Sequence, residues 1–309
     1  MNQELIILIL YFGKWPEWIN LFIESCKWNP EVRWLLYTDC GAAENKAENV
    51  GYVHLGFDDY KALARERLGV KFDPPHPYKL CDLRPCLGQI HQREIAGHRF
   101  FGYGDIDVIY GNIRRFYTDD LLARCDVIST HPERLSGHFL VLRNTEAIRR
   151  AYQQISDYRD LLERPEDSEM DEGSFTAIFR SSALELRDPH HIQSGSDPLR
   201  RGSLFIERYS TILSPRGWHD GTMHYPQRWF WRRGSLTNDR DGQREFLYLH
   251  FMRWQSARWI NDPPAPGEAA WLRLKRIVHV DWRDAASSGF CISPSGFTAL
   301  STPPPPTVF

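Results

Sequence analysis

A chain of 309 residues with 42% apolar and 25% charged side chains has room for one large α/β domain or two modest ones, and is neither disordered nor fibrous. Its 38 Lys and Arg against 40 Asp and Glu leave a formal charge of −2, without the positive field that a general nucleic-acid binder needs. The charge is uneven: residues 199–283 hold 15 basic and 8 acidic side chains, a local +7 that suits an anionic substrate, an anionic membrane surface or a solvated mixed face.

In chain order, the run Leu5–Phe12 is continuously apolar, the pattern of a strand buried on both faces in a parallel sheet. At eight residues it is too short to span a bilayer, and Asn2-Gln3-Glu4 before it lacks the basic charges of a secretory leader. The cysteines Cys26, Cys40, Cys81, Cys86, Cys125 and Cys291 form no C-x-x-C pair, so reduced thiols in a cytoplasmic protein are expected. Pro16 opens a helix over WPEWINLFIESC, and VRWLLYTD follows as a second strand, a βαβ start. A third strand at YVHLGF, a helix at DDYKALARERLG and a further helix over PYKLCDLRPCLGQIHQREI come next.

HRFFGYGDIDVIYGN reads as an aromatic strand running into a turn. A helix near TDDLLARC, strands DVIST and HFLVLRN, and a helix at TEAIRRAYQQI complete the regular part, with no internal repeat. From about residue 190 the pattern is irregular, apart from a strand at REFLYLHF. The tail from about Ser287 is rich in Pro and Ser and is expected to be weakly ordered.

The chemistry concentrates in Gly104–Gly111. Residues two apart in an extended chain point the same way, so Asp105 and Asp107 aim two carboxylates at one point. Two such anions repel unless a cation lies between them, and hard oxygen ligands suit Mg²⁺ or Mn²⁺, which bind diphosphate oxygens. The alternative is a solvated turn at a strand end.

The segments YFGKWPEW (11–18), PYKLCDLRP (77–85), FGYGDIDVIYGNIRRF (101–116), SGHFLVLRN (136–144), DEGSF (171–175) and YLHF (248–251) stand in this order across residues 5–255. Together they resemble a GT-A-type glycosyltransferase, more narrowly a bacterial family of uncharacterised GT-A-like proteins linked to surface-polysaccharide genes. The resemblance implies an α/β fold with a mostly parallel, Rossmann-like sheet flanked by helices and an irregular C-terminal part. Residues 1–256 would form the catalytic domain, with 1–112 the nucleotide-binding half and 113–256 the acceptor half. Residues 257–309 would be an extension with a Pro-rich tail. The implied activity is metal-dependent transfer from a nucleotide sugar, a UDP-sugar first, to a glycan or lipid-linked acceptor; the local +7 of residues 199–283 separately suggests peripheral contact at the inner membrane face.

The resemblance also implies roles for single residues. Asp105, Asp107 and His250 would hold Mn²⁺ or Mg²⁺, unless His250 is an ordinary core histidine. Tyr11, Phe12 and Gly13 end the first strand, where an aromatic can stack on a base and Gly admits close backbone approach, or where they simply pack and turn. Asp39 would accept from a uracil N–H or cap a helix. Lys79, Asp82 and Arg84 would contact ribose and diphosphate, or form an i,i+3 surface ion pair. Asp171 or Glu172 would take the acceptor proton, Asp171 being preferred, although PEDSEMDE also reads as a solvated acidic loop. Arg253 would touch diphosphate, and Trp254-Gln255 stand where the family often carries Lys. His138 and Asn144 match the family without a role. Tyr225, Trp229, Trp231, Arg232 and Arg233 offer either an acceptor surface or an aromatic core with a charged rim.

Two rival readings remain open. The pattern D-x-D-x-V after an apolar strand also fits a haloacid-dehalogenase-like phosphatase with Asp105 as nucleophile. A non-catalytic glycan-binding protein could keep the same fold.

Overall fold

The structure is a computed structural model that describes residues 4–131, 134–180, 203–205, 218, 220–222, 224–251, 276–293 and 295–300. Strands β1 (Leu5–Leu10), β2 (Val32–Thr38), β3 (Val50–His54), β4 (Phe100–Gly104), β5 (Val108–Tyr110), β6 (Val127–Ser129), β7 (Phe139–Arg143) and β8 (Ser203–Phe205) are followed by β9 (Trp229–Arg232), β10 (Ser235–Asn238), β11 (Tyr248–His250), β12 (Phe290–Ser293) and β13 (Gly296–Ala299). The central sheet has the order β3-β2-β1-β4-β7-β6-β8. β3, β2, β1 and β4 are parallel, β7 runs against β4 and β6, and β8 is parallel to β6. The mostly parallel α/β sheet expected from the sequence is therefore the one formed.

The continuous apolarity of β1 has a direct cause in this order. Ile7 and Ile9 enter one core with α1 (Ile19–Lys27), while Ile6 and Leu8 enter a second with α2 (Phe57–Leu68). Successive side chains leave opposite faces of a strand, so a strand covered by helices on both sides must be apolar throughout. Burial of this kind contributes about 1.5–3 kcal/mol per large aliphatic side chain. All six cysteines are free thiols.

The helix expected over TEAIRRAYQQI is an α turn, Glu146–Arg149, followed by a 3-10 helix, Ala151–Gln154, and three further elements differ from the sequence reading. The helix expected from Pro77 onward is a 3-10 helix over Pro77–Cys86 followed by one α turn, Leu87–Ile90. Pro85 inside it has no N–H to give and crowds the carbonyl four residues back, which favours the tighter winding. The aromatic strand after His98 stops at Gly104, and β5 pairs instead with β11 in a separate two-stranded sheet. Asp105-Ile106-Asp107 is thus the junction between two sheets rather than the continuation of one strand.

The third difference lies in the C-terminal part. Residues from Ser287 are not a weakly ordered tail up to residue 300: β12 and β13 pair with each other, and β12 pairs with β9, in a sheet of order β10-β9-β12-β13. Phe290, Ile292 and Phe297 are buried in the same core as Trp229 and Trp231. Tyr225, Trp229 and Trp231 are accordingly core residues and offer no acceptor surface, while Arg232 and Arg233 are exposed on the rim. The Pro-rich residues from 301 onward lie outside the described residues.

Candidate metal centre and adjoining cleft

Asp105 and Asp107 sit where three strands meet. Asp105 follows β4, and its N–H donates to the carbonyl of His138, just before β7, at 3.1 Å. Asp107 precedes β5, whose antiparallel pairing sets His250 opposite Val108 and brings the Phe251 N–H to the Asp107 carbonyl at 3.1 Å. His250 Nε2 lies 3.4 Å from Asp107 Oδ2. One ligand atom each from Asp105, Asp107 and His250 lies within 4.8 Å of the others. The junction is braced from α1: Trp18, immediately before it, donates its ring N–H to the Ile106 carbonyl at 2.8 Å.

Two observations favour a cation here. Asp107 Oδ1 and His250 Nδ1 are both buried without a hydrogen-bond partner, an arrangement that costs about 1–3 kcal/mol per group unless something satisfies it. Burial also pushes the Asp105 carboxyl up to about 6, with Arg84 and His250 opposing and Asp107 and Asp171 adding to the rise. Two carboxylate donors and an imidazole suit Mn²⁺ and, less well, Mg²⁺. The residues present fit a divalent ion.

His138 lies parallel to His250, with ring centroids 4.1 Å apart and 12° between planes. Its Nε2 is 2.7 Å from the Tyr248 hydroxyl, which meets Thr130 Oγ1 in turn. Burial holds the His138 imidazole well below its ordinary pKa. His138 thus acquires a place, as the wall behind His250, that its sequence context did not reveal.

A cavity of about 330 Å³ opens beside the carboxylates at the C-terminal ends of β1 and β4. Tyr11, Phe12, Trp18, Tyr78, Cys81, Arg84, Asp105 and Asp107 are among its lining residues. Arg84 binds two carboxylates at once, Asp105 through Nη2 and Asp171 Oδ2 through Nη1 at 2.8 Å. Asp171 is buried. Glu172 turns elsewhere: its Oε1 accepts the Gly137 N–H at 3.1 Å and its Oε2 lies 2.8 Å from Arg134.

At the outer end of β1, Tyr11 stacks on Trp15 with centroids 5.2 Å apart. Gly13 donates its N–H to Asp39 Oδ1 at 2.7 Å, which joins the ends of β1 and β2. Phe12 is mostly buried against Phe57 and Tyr60. Lys79 and Asp82 are buried below the cleft, paired with each other, and so form no surface ion pair. Asn144 is a structural residue, donating to the carbonyls of Ile95 and His98 at 2.9 Å. Arg253 lies outside the described residues.

Sequence reasoning missed Trp18, Tyr78 and Cys81. Tyr78 stands out only in the fold, where it is 71% exposed beside buried neighbours at the cavity. Trp18 had none, because its helical spacing equally suits a core residue.

Fold and site together define an α/β protein with a carboxylate–imidazole cluster at the C-terminal edge of a mostly parallel sheet, where open sheets of this class bind ligands. Residues 7–301 match a family of unknown function (DUF6625), and the chain belongs to that family. No curated protein matches the sequence. Solved structures similar to it include the galactosyltransferase LgtC with donor and acceptor sugar analogues, at 9% identity over 67% of this chain and 75% of that one, with a TM-score of 0.35. Mouse xyloside xylosyltransferase 1 in its apo form is similar at 9% identity over 78% and 99%, with a TM-score of 0.38. The mannosyltransferase Ktr4p of S. cerevisiae is similar at 8% identity over 57% and 65%, with a TM-score of 0.37. These likenesses are of outline, and the sugars in those names belong to those proteins.

Proposed function

We propose that the protein is a metal-dependent glycosyltransferase that moves a sugar from a nucleotide sugar, a UDP-sugar first, to a glycan or lipid-linked acceptor in surface-polysaccharide synthesis. The observation that carries this reading is the Asp105–Asp107–His250 cluster at the mouth of a cavity lined by Tyr11, Tyr78 and Arg84. Asp105, Asp107 and His250 would hold Mn²⁺ or Mg²⁺. When bound, the ion would neutralise charge on a departing diphosphate, an effect of several kcal/mol in a transition state.

The chain's own residues divide the remaining work. Arg84 is placed to share a diphosphate with the ion, because its planar fork already spans two carboxylates. Tyr11 and Tyr78 offer faces to a base, and Gly13 and Asp39 lie at the neighbouring strand ends. Asp171 is the preferred proton acceptor on the acceptor side, since Arg84 joins it to Asp105 of the carboxylate cluster, while Glu172 faces Gly137 and Arg134. In this reading residues 1–112 serve the donor, 113–256 the acceptor, and 257–309 form an extension.

The deciding experiment is thermal unfolding with UDP and Mn²⁺. The pair should raise Tm, EDTA should cancel the rise, and Asp107→Ala should abolish it. No response to any nucleotide at millimolar concentration would sink the proposal. Rapid hydrolysis of p-nitrophenyl phosphate dependent on Asp105 would put a phosphatase in its place, and glycan binding indifferent to metal and nucleotide a binding protein. Among the described residues no helix is long and apolar enough to cross a membrane. The local +7 of residues 199–283 instead supports peripheral contact at the inner face of a membrane. Failure to sediment with anionic liposomes at low salt would remove that part.

A further inference from the structure

The loop that delivers Asp171 is held from beneath by a buried ion pair. Lys79 and Asp82 lie three residues apart on the 3-10 helix Pro77–Cys86, with side chains 2% and 0% exposed and Nζ 2.7 Å from Oδ2. Lys79 Nζ also donates to the Leu161 carbonyl at 2.6 Å and to the Glu166 carbonyl, and lies 3.2 Å from Ser168 Oγ. An ammonium has three protons, so these partners use it completely. Asp82 accepts the Ser168 N–H through Oδ2 and the Met170 N–H through Oδ1, each at 2.8 Å.

Those two amides flank Glu169, whose φ of 49° lies in the left-handed region. A non-glycine residue persists there only when its surroundings hold it, and Asp82 grips the turn on both sides. Asp171 follows two residues later and meets Arg84 at 2.8 Å. Arg84 stands two residues past Asp82 on the same helix. One short helix therefore both fixes the loop and receives its end. Lys79 and Asp82 are absent from the cavity lining, and their hydrogen bonds run to the loop.

We propose that Lys79 and Asp82 are positioning residues: they set the register of residues 161–171 and so the placement of Asp171 against Arg84, instead of touching the donor. This rests on the role given to Asp171 in the transfer reading.

The test uses the full chain with Asp82→Asn, Lys79→Met and the paired Lys79→Met/Asp82→Leu. The paired variant removes both charges together and so leaves no lone buried ion to prevent folding. Hydrogen exchange across 161–172 should rise about tenfold or more in Asp82→Asn, with β1 and β4 unchanged. Affinity for UDP with Mn²⁺ should stay within about twofold, while kcat for UDP-sugar turnover falls about tenfold or more at little-changed KM. Asp82→Asn should add little to the loss already caused by Asp171→Asn. A tenfold-weaker UDP affinity with unaltered loop exchange would make the pair direct ligands and overturn the proposal. Faster loop exchange with kcat retained would overturn it as well. Should Asp82→Asn fail to fold, the same readings on the paired variant decide. Should the wild type bind no nucleotide, the transfer reading falls, and the exchange measurement still decides whether the pair sets the loop.

Discussion

Trp18 and Ile106 are 88 residues apart in sequence, and the ring N–H of the first donates to the carbonyl of the second at 2.8 Å. That carbonyl belongs to the Ile106–Asp107 peptide, so the bond fixes the hinge of the carboxylate pair. Trp18→Phe keeps an aromatic ring in the core and removes the donor. A buried carbonyl left without a partner costs about 1–3 kcal/mol, which shifts Tm by only a few degrees in a chain of this size. The Tm increment produced by Mn²⁺ should shrink beyond what that baseline loss explains. An unchanged Mn²⁺ increment in a folded Trp18→Phe protein would show that the junction needs no brace.

Among the described residues Arg233 is, with Glu169, a non-glycine residue in the left-handed region, at φ 49°, followed by Gly234 at φ 79°. They are the two residues between β9 and β10, whose register pairs Arg232 with Ser235. Positive φ at both central positions is the type I′ hairpin, for which Asn-Gly is preferred. Arg233→Asn should therefore stabilise the fold by about 0.5–1 kcal/mol, read from a urea midpoint. Because the aromatic cluster behind Arg233 is core, the UDP–Mn²⁺ response should stay as it is. A weakened response would restore this arginine to the binding machinery.

The first half of the fold was legible because its periodicities are long. Leu5–Leu10 can be satisfied only by a two-sided burial, and Phe57–Leu68 ends at Gly69 in the left-handed conformation that closes a helix. The hairpin Trp229–Asn238 and the pair Phe290–Ala299 escaped notice because four-residue strands present two inward side chains each, too few to separate alternation from chance. In the site, two aspartates two apart announced themselves. Lys79 and Asp82 suggested a ribose and diphosphate contact or a surface ion pair, since spacing within one helix says nothing about which distant loop will cover it. The Trp18–Ile106 bond had no signal at all, as it depends on tertiary distance alone.

His91 makes stability depend on pH. Its ring is buried, 2.8 Å from the Tyr60 hydroxyl through Nε2 and 4.1 Å from the Tyr37 ring centroid. Nδ1 has no hydrogen-bond partner, and Glu94 Oε2 stands 3.9 Å away, beyond bonding reach. Burial, with a smaller contribution from Arg67, lowers its pKa to about 3. The unfolded chain takes up this proton near pH 6.5 and the folded chain only near 3, so stability is complete above about 6.5 and is lost as pH falls between the two. The slope from this group approaches about 1.4 kcal/mol per pH unit. Urea midpoints at pH 7, 6, 5 and 4 should show His91→Gln with a shallower acid loss than wild type. Parallel curves would mean that this histidine is protonated in the native state.

Gly137 leaves room for the contact on which the proposed chemistry depends. A Cβ at this position would stand 2.7 Å from Arg84 Nη1, 3.0 Å from Asp171 Oδ2 and 3.1 Å from Glu172 Oε1. Each of these atoms is the far end of a side chain, so the backbone can stay in place, but the Arg84–Asp171 pair is largely buried and Gly137→Ala should cost the fold about 1–3 kcal/mol. A further cost should fall on function. Arg84 pushed off Asp171 no longer spans the two carboxylates, and the Tm rise with UDP and Mn²⁺ should drop by more than the loss of stability without ligand explains. Turnover of a UDP-sugar should fall more steeply than UDP affinity, because Asp171 loses its orientation as well. If both ligand response and turnover survive in Gly137→Ala, the Arg84–Asp171 contact is dispensable to both.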